Sequence, residues 1–347
     1  MHEVCSLIFC QTLKRQGNSL SDFVPESSQT TTSCLPTQLM SRQSVALLIC
    51  CVSFLSVANP AHCQQPRTLQ TVPKPESVEV PPDGITVPMK FRGSMPAFDV
   101  MVNGQGPFFF ALDTGGMGLA RADVTLVEKL KLEKIGDIQA SDGSGQGTRT
   151  MDVVRLDELQ LGEAVFKGLD AASRDYNRSD RVERIDGILG IHLFQDHLLT
   201  LDYPGQELRL SPGELPEPDG KSVVELVPDQ MVPALEIEVG GQKLLCHIDS
   251  GNMAGEIVVP TSLAEKLPLQ GEPQVIGRAR TVTNEIEIKA ATLDGSVLIG
   301  EHEIKNPRIT FAEIFRTGNI GSGLLKQFAM TLDQKNGRVK FVRATEE

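Results

Sequence analysis

The chain has 347 residues, of which 40% are hydrophobic, and its formal net charge at pH 7 is −12. This hydrophobic fraction is too high for a wholly disordered chain, and the length leaves room for about two domains of roughly 150 residues. No long run of Lys and Arg occurs, which argues against a nucleic-acid partner because phosphate neutralisation requires clustered cations. Trp is absent and Tyr occurs twice, so stacking on bases or sugars has few side chains to use.

The strongest apolar run covers residues 44–58 and is shorter than the roughly 20 residues that a bilayer core requires. Arg42 precedes this run and small residues follow it, which is the order of a secretory signal. We therefore predict a signal peptide over residues 40–63, with translation starting at Met40, and an exported protein that is periplasmic or secreted. A buried core segment is the weaker alternative. Residues 1–39 are polar and without pattern, and we interpret them as a disordered or spurious extension.

The cysteines fit this division of the chain. Six of the seven lie at or before Cys63, so Cys246 alone belongs to the part beyond the predicted signal. One thiol cannot form an internal disulfide, so the exported part must depend on its hydrophobic core. Cys246 is flanked by apolar residues, which favours a small core residue over a nucleophile. Cys63 is a poor lipid-anchor candidate because His62 stands where a small residue is needed, so we expect membrane tethering only through an uncleaved signal.

Proline-rich segments indicate the remaining domain boundaries. Residues 64–84 contain five prolines and are predicted to form an extended tether, since proline lacks a backbone donor. Residues 204–221 contain four prolines and are predicted to link an N-terminal lobe, residues 85–203, to a C-terminal lobe, residues 222–347.

Alternating apolar runs broken by Gly predict an all-β protein. The predicted strand regions are residues 89–104, 107–115, 157–172, 231–251 and 292–313. Each lobe also has one predicted helix: residues 123–132 with Asp123 as N-cap, and residues 261–267 with Thr261 as N-cap.

Four motifs recur in the same order with nearly constant offsets, which predicts an internal duplication. They are Asp113-Thr114-Gly115 with Asp249-Ser250-Gly251 (offset 136), residues 126–130 with 263–267 (137), Gly187-Ile188-Leu189-Gly190 with Gly318-Asn319-Ile320-Gly321 (131), and residues 200–202 with 331–333 (131).

Asp113 and Asp249 are the residues most indicative of chemistry. Each follows an apolar strand, where a carboxylate is costly to bury unless something uses it or satisfies it. A small hydroxyl residue, Thr114 or Ser250, comes next and could form hydrogen bonds across a pseudo-twofold axis. A Gly then permits a sharp turn and a close backbone approach.

With these motifs the sequence resembles the aspartic proteases, specifically a two-lobed bacterial type built from retropepsin-like halves. The resemblance covers about residues 90–343. It implies two similar barrel lobes with a substrate cleft between them and one catalytic Asp from each lobe, Asp113 and Asp249. It also implies that the loops are supported by Thr114, Gly115, Ser250 and Gly251, and that apolar segments containing Gly187, Gly190, Gly318 and Gly321 thread behind them.

The implied chemistry is hydrolysis of peptide bonds in a peptide or protein substrate. Two adjacent carboxyl groups share one proton; one activates a water molecule as general base and the other polarises the scissile carbonyl. No metal ion or other cofactor is required. Because both lobes lie in one chain, we expect a monomer.

Two hairpins are expected to close over the substrate, residues 138–154 in the first lobe and about 274–290 in the second. The glycine-rich tip of the first, residues 143–147, lacks the Lys and the strand-then-helix context of a phosphate loop, which favours a flexible tip. Neither Tyr176 nor Tyr203 falls in this hairpin, although pepsin-like flaps supply an aromatic residue there.

The resemblance has two departures and leaves other functions open. Gly116 and Asn252 stand where the family usually has Ser or Ala, and Gly116 cannot donate the hydroxyl hydrogen bond that pepsin-type enzymes direct at the catalytic carboxylate. A peptide-binding module that has lost turnover is the main alternative. Ordinary turns at the two Asp motifs, and glycoside hydrolysis by two acids, are weaker ones. His247, beside Asp249, is expected to face away from the cleft by strand alternation.

Overall fold

We describe a computed structural model of the chain over residues 72–141, 148–177, 183–228, 230–253, 255–280, 285–313 and 317–343. The protein is all-β, with short helices between its strands, as the alternating sequence pattern predicts.

The strands up to residue 211 belong to the first half of the chain. They are β1 (Ser77–Glu79), β2 (Ile85–Pro88), β3 (Lys90–Arg92), β4 (Met95–Val102), β5 (Gln105–Asp113), β6 (Ala120–Asp123), β7 (Lys134–Ser141), β8 (Thr148–Leu161), β9 (Ala164–Arg174), β10 (Gly187–Gly190), β11 (Leu198–Asp202) and β12 (Glu207–Ser211). Helix α1 (Val124–Leu130) follows β6, and a 3₁₀ helix (Ile191–Phe194) follows β10.

The second half contains the other strands and two short helices. The strands are β13 (Val223–Glu225), β14 (Ala234–Val239), β15 (Gln242–Asp249), β16 (Ile257–Val259), β17 (Gln274–Arg280), β18 (Glu285–Thr292), β19 (Ser296–Ile299), β20 (His302–Lys305), β21 (Arg308–Phe311), β22 (Gly318–Gly321), β23 (Phe328–Asp333) and β24 (Arg338–Arg343). A 3₁₀ helix (Thr261–Lys266) follows β16, and α2 (Ser322–Leu325) follows β22.

Each half builds a nine-stranded sheet around the same local arrangement. In the first sheet the order is β1-β9-β6-β10-β5-β4-β8-β7, with β3 on β4, and a β8–β9 pairing returns the sheet on itself. In the second the order is β17-β18-β21-β16-β22-β15-β14-β19-β20. In both, the strand that ends in the motif Asp pairs in parallel with the short apolar-Gly strand, which places Gly190 beside Asp113 and Gly321 beside Asp249.

A third sheet joins the two halves through the order β13-β24-β23-β11-β12-β2. At its centre β11 and β23 run antiparallel, with Thr200 opposite Thr331. The hydroxyl groups of these two threonines are 2.8 Å apart. The motif copies at residues 200–202 and 331–333 therefore lie on strands that pair with each other at the centre of this sheet.

Most apolar side chains of the described residues form a core that runs through both halves, from Ile85 to Phe341, and a second, smaller cluster includes Met95, Ala111 and Ile188. The largest members of the core, including Phe110, Phe166 and Phe328, are fully buried. Hydrophobic burial therefore joins the two halves as well as stabilising each of them.

Two predicted boundaries are wrong in detail, because strands occupy parts of the predicted linkers. The tether was expected to reach residue 84, but residues 77–79 already pair antiparallel with β9. The linker over 204–221 contains β12, which is hydrogen-bonded to both β11 and β2. The alternation of buried Leu208 and Leu210 with exposed Arg209 explains why this segment is a strand despite the prolines around it.

One of the two predicted helix caps is confirmed. The Asp123 side chain accepts a hydrogen bond from the Thr125 backbone N–H at the start of α1. The second helix is a 3₁₀ helix preceded by Pro260, without a side-chain cap, so the prediction of a capping Thr261 is wrong. The other domain boundaries, including those before residue 72, lie outside the described residues or stay predictions.

We predict that Leu208→Ala lowers the free energy of unfolding by about 2–5 kcal/mol, because it opens a cavity in the shared core. Arg209→Ala, on the solvent side of the same strand, is the matched control and should cost at most about 1 kcal/mol because its ion pairs are exposed. Chemical denaturation of both variants measures the difference. Equal and small decreases in the free energy of unfolding of the two variants would show that residues 207–211 do not pack against the core.

Candidate active site

The two motif Asp residues end the corresponding strands β5 and β15. The apolar residues before them lie in the core, and the parallel pairing with β10 and β22 carries each carboxyl group into the interior. Asp113 is 2% exposed and Asp249 is 1% exposed. Burial of two carboxyl groups is costly, so the groups around them must offset that cost.

Reciprocal hydrogen bonds hold the two Asp-bearing loops together. The Thr114 hydroxyl donates to the Ile248 carbonyl (2.7 Å) and accepts from the Ser250 backbone N–H (2.9 Å). The Ser250 hydroxyl in turn donates to the Leu112 carbonyl (2.8 Å) and accepts from the Thr114 backbone N–H (3.0 Å). Each hydroxyl thus serves the backbone of the opposite loop, and the two loops are fixed face to face.

The glycine of each motif leaves room for the carboxyl group of the other. A Cβ on Gly115 would lie 2.7 Å from both carboxylate oxygens of Asp249. A Cβ on Gly251 would lie 2.6 Å from Oδ1 of Asp113. The absence of a side chain at these two positions therefore allows the carboxyl groups to lie next to each other across the loops.

The carboxyl group of Asp249 lies near enough to Asp113 for its charge to act on the pKa of Asp113. Burial raises the pKa of Asp113 first, and the Asp249 carboxyl raises it further; the guanidinium of Arg121 opposes both, and the result is a pKa of about 7. The two carboxyl groups, which we call the dyad, can therefore hold one proton jointly under mildly acidic conditions.

A buried arginine contacts the dyad from the first half. Arg121, on β6, donates from Nη1 to Oδ2 of Asp113 at 3.0 Å, and both side chains are 3% exposed. Gly116 makes this contact possible, because a Cβ there would lie 2.6 Å from Oδ2 of Asp113 and 2.7 Å from Nη2 of Arg121.

A neutral amide takes the corresponding place in the second half. Asn319, on β22, donates from Nδ2 to Oδ2 of Asp249 at 2.7 Å. Its Oδ1 accepts a hydrogen bond from Nδ2 of Asn252 at 2.6 Å. One carboxyl group of the dyad thus contacts a cation and the other an amide.

The sequence analysis did not identify Arg121 or Asn319 as site residues. The available signal was a polar residue in a segment that should be apolar, since Arg121 lies among Leu119, Ala120 and Ala122. Asn319 likewise stands where the matching motif copy has Ile188. Both departures looked like ordinary variation without the spatial contact.

The four glycines of the apolar-Gly segments allow close packing behind the loops. A Cβ on Gly187 would collide with the Phe110 ring, and one on Gly318 with Sγ of Cys246. Cβ atoms on Gly190 and Gly321 would meet the backbone oxygens of Gly118 and Gly255 respectively. Larger residues at these positions would displace the strands that carry the Asp residues.

The other residues considered in the sequence lie away from the carboxyl groups or outside the described residues. The two predicted hairpins correspond to β7–β8 and β17–β18, whose tips (142–147 and 281–284) are not described. Cys246 is fully buried, and burial raises the pKa of its thiol beyond the range of an active nucleophile. The His247 ring contacts Thr317 at 3.5 Å. Tyr176 and Tyr203 are buried outside the hairpins.

Comparison with known protein families gives a match over part of the chain. The aspartyl protease family model matches residues 98–193, a segment that contains Asp113 and the strand Gly187–Gly190 and ends before Asp249. The chain is thus similar to aspartyl proteases over this segment. A search of curated proteins found none that matches it.

Among the residues that the structure describes, no group of three or more His, Cys, Asp and Glu side chains is arranged to hold a metal ion. No helix in the same residues has the length and hydropathy needed to cross a membrane. The expectation that the site needs no metal ion or cofactor stays a prediction.

We predict that Thr114→Val lowers the free energy of unfolding by about 2–4 kcal/mol, because it leaves the Ile248 carbonyl and the Ser250 N–H buried without their partner. Thr114→Ser keeps the hydroxyl and is the control. Thermal or chemical denaturation of both variants measures the effect. A valine variant as stable as the serine variant would contradict the proposed importance of the reciprocal hydrogen bonds.

The raised pKa of Asp113 predicts a pH dependence of stability. Between about pH 4 and pH 7 the native state retains a proton that the unfolded state has lost, so the free energy of unfolding should fall as pH rises through this range. Asp113→Asn removes this titration and should flatten the decline. Denaturation curves at several pH values make the comparison, and parallel curves for the two proteins would refute the raised pKa.

Proposed function

We propose that the protein is an exported aspartic endopeptidase that hydrolyses peptide bonds by general acid–base activation of water at Asp113 and Asp249. The observation that carries this proposal is the burial of both carboxyl groups on loops that are hydrogen-bonded face to face and follow corresponding strands in the two halves. The similarity to aspartyl proteases over residues 98–193 supports the same reaction class.

The geometry is compatible with the following steps. In the singly protonated dyad, the carboxylate takes a proton from water as the water oxygen attacks the scissile carbonyl carbon, and the carboxylic acid gives its proton to the carbonyl oxygen. The resulting neutral diol collapses when its carbon–nitrogen bond breaks. The nitrogen receives the proton taken from water, and a diol hydroxyl returns one proton to the dyad, which is thereby restored.

A two-lobed, internally duplicated arrangement is part of the proposal. It is supported by the matching environments of β5 and β15 and by the pairing of Thr200 with Thr331 in the sheet that both halves share. In such an arrangement the substrate lies across the dyad, under the hairpins β7–β8 and β17–β18. A single chain then supplies both catalytic carboxyl groups, which supports a monomeric enzyme.

Export is proposed from the sequence of residues 40–63, which lie outside the described residues. Its order of Arg42, a short apolar run and small residues is that of a secretory signal. N-terminal sequencing of the protein recovered from the cell envelope and medium tests this part separately from catalysis.

We predict that Asp113→Asn and Asp249→Asn each abolish cleavage of a peptide library, because neither variant can form the singly protonated dyad. Mass spectrometry of the library after incubation from acid to neutral pH measures cleavage, with circular dichroism confirming the fold. Asp294→Asn, at an exposed position, is the control and should cleave at the wild-type rate. A statine-type inhibitor, which imitates the tetrahedral diol, should block the wild-type enzyme.

Cleavage retained in either Asn variant would refute the proposed catalytic roles. A wild-type protein that binds library peptides but cleaves none between acid and neutral pH would instead support the peptide-binding module. Catalysis and binding are thus separated in one set of measurements.

A further inference from the structure

We propose that Arg121 is a positioning residue that sets the pH at which the dyad gives up its shared proton. This inference rests on the proposed function, since it concerns the working pH range of the same site. Its basis is the buried contact between Nη1 of Arg121 and Oδ2 of Asp113, at 3.0 Å, with both side chains 3% exposed. A full charge in contact with one reacting carboxyl group, screened from water, must influence its ionisation.

The local sequence makes room for the guanidinium. At the position after the first motif, Gly116 lacks the side chain that would otherwise lie against Oδ2 of Asp113 and Nη2 of Arg121. The missing hydroxyl donor noted in the sequence is therefore replaced in space by a cationic donor from β6. Gly116 and Arg121 act together, because a side chain at 116 would exclude the guanidinium from its present position.

The second half shows that this replacement is one-sided. Arg121 lies opposite Ile188 in the β6–β10 pair, and the corresponding β16–β22 pair places Val258 opposite Asn319. In the first half the polar residue is on β6 and the apolar one on β10, whereas in the second half the apolar residue is on β16 and the polar one on β22. The donor to Asp249 from β22 is an amide without charge, whereas the donor to Asp113 from β6 is a cation.

Charge balance gives the direction of the effect. With one proton on the dyad, the two carboxyl groups carry −1 and Arg121 carries +1, so the buried site is neutral. Without Arg121 the same protonation state would leave an unbalanced charge in the interior, and the dyad would hold its protons to higher pH. Arg121 therefore lowers both apparent pKa values of the dyad. The singly protonated state forms at lower pH with Arg121 present, and it is also lost at lower pH.

Among the titratable groups that act on Asp113, Arg121 is the one that lowers its pKa and so opposes the effect of burial. Burial raises the pKa of Asp113 most, and Asp249, from β15, raises it further. Burial also raises the pKa of the Tyr203 hydroxyl, directly after β11, and the charge of Asp249 adds to that effect. His192, after β10, has a pKa lowered by burial, and its ring contacts the Gly118 N–H and the Met231 carbonyl.

The kinetic test compares pH profiles of kcat/KM for the wild type, Arg121→Met, Arg121→Lys and Asn319→Leu. We expect Arg121→Met to move both limbs of the profile upward by about 1–3 pH units, since it removes an adjacent opposite charge. Arg121→Lys keeps the charge and should move the limbs less. Asn319→Leu removes a neutral donor on the other side and should also move them less.

A uniform loss of kcat in Arg121→Met, with both limbs where the wild type has them, would overturn the proposal and leave Arg121 as a structural brace. A shift in Asn319→Leu as large as that in Arg121→Met would also overturn it, because the charge would then not be the cause.

A second measurement does not depend on turnover. Carbon-13 NMR of labelled Asp carboxyl groups follows the titration of the dyad in the free protein, and Arg121→Met should again raise the apparent pKa values. If no variant or wild type cleaves peptides, the peptidase assignment fails while this titration still tests the role of Arg121. An unchanged carboxyl titration in Arg121→Met overturns the inference even if the enzyme is active.

Because loss of a buried ion pair can prevent folding, two variants that both keep Arg121 provide an independent comparison, and one of them, Asp249→Asn, also keeps the ion pair. Asp249→Asn leaves Asp113 beside Arg121, and Asp113→Asn leaves Asp249 beside Asn319. Carbon-13 titration should give the remaining carboxyl group a lower pKa in Asp249→Asn than in Asp113→Asn. Equal values or the reverse order would overturn the proposal.

Discussion

The reciprocal hydrogen bonds between Thr114 and Ser250 are the constraint on which the rest of the site depends. Each hydroxyl satisfies a backbone carbonyl and a backbone N–H of the opposite loop, and these four buried polar groups would otherwise lose that partner. Because the bonds cross from one loop to the other, neither loop can move without breaking them. These hydrogen bonds fix the positions of the two loops and therefore the distance between the carboxyl groups. The surrounding apolar core excludes water that would weaken the hydrogen bonds.

Much of this arrangement could be predicted from the sequence, because it is encoded locally or by repetition. An apolar strand that ends in Asp, a hydroxyl residue and Gly indicates a buried turn, and its recurrence after 136 residues indicates a partner of the same kind. The N-cap at Asp123 was predictable for the same reason, since a cap is made within one turn of the chain. The pairing of Thr200 with Thr331 also joins two copies of one motif.

The contacts that the sequence did not predict depend on residues distant from one another in the chain. Arg121 looks like an isolated charge in an apolar strand until Gly116 and Asp113 are placed beside it. The strand at residues 207–211 was obscured by neighbouring prolines, although its alternation of buried and exposed residues was present. The local sequence indicated an isolated surface charge at Arg121 and a linker at residues 207–211. Contacts with residues distant in the chain make the first a buried site residue and the second a strand, which local propensity cannot predict.

The first half has the pair Arg121 and Ile188 where the second half has Val258 and Asn319. This difference has a consequence for how such a site can evolve. A homodimer assembled from two copies of one half would have to put the same residue on each side of its twofold axis. In a dimer of the first half, two guanidinium groups would face the two carboxylates, and the electrically neutral buried state would have no proton to share. A single polypeptide is not bound by this symmetry. Its two carboxyl groups can have different neighbours, so the pKa of each can change independently in evolution.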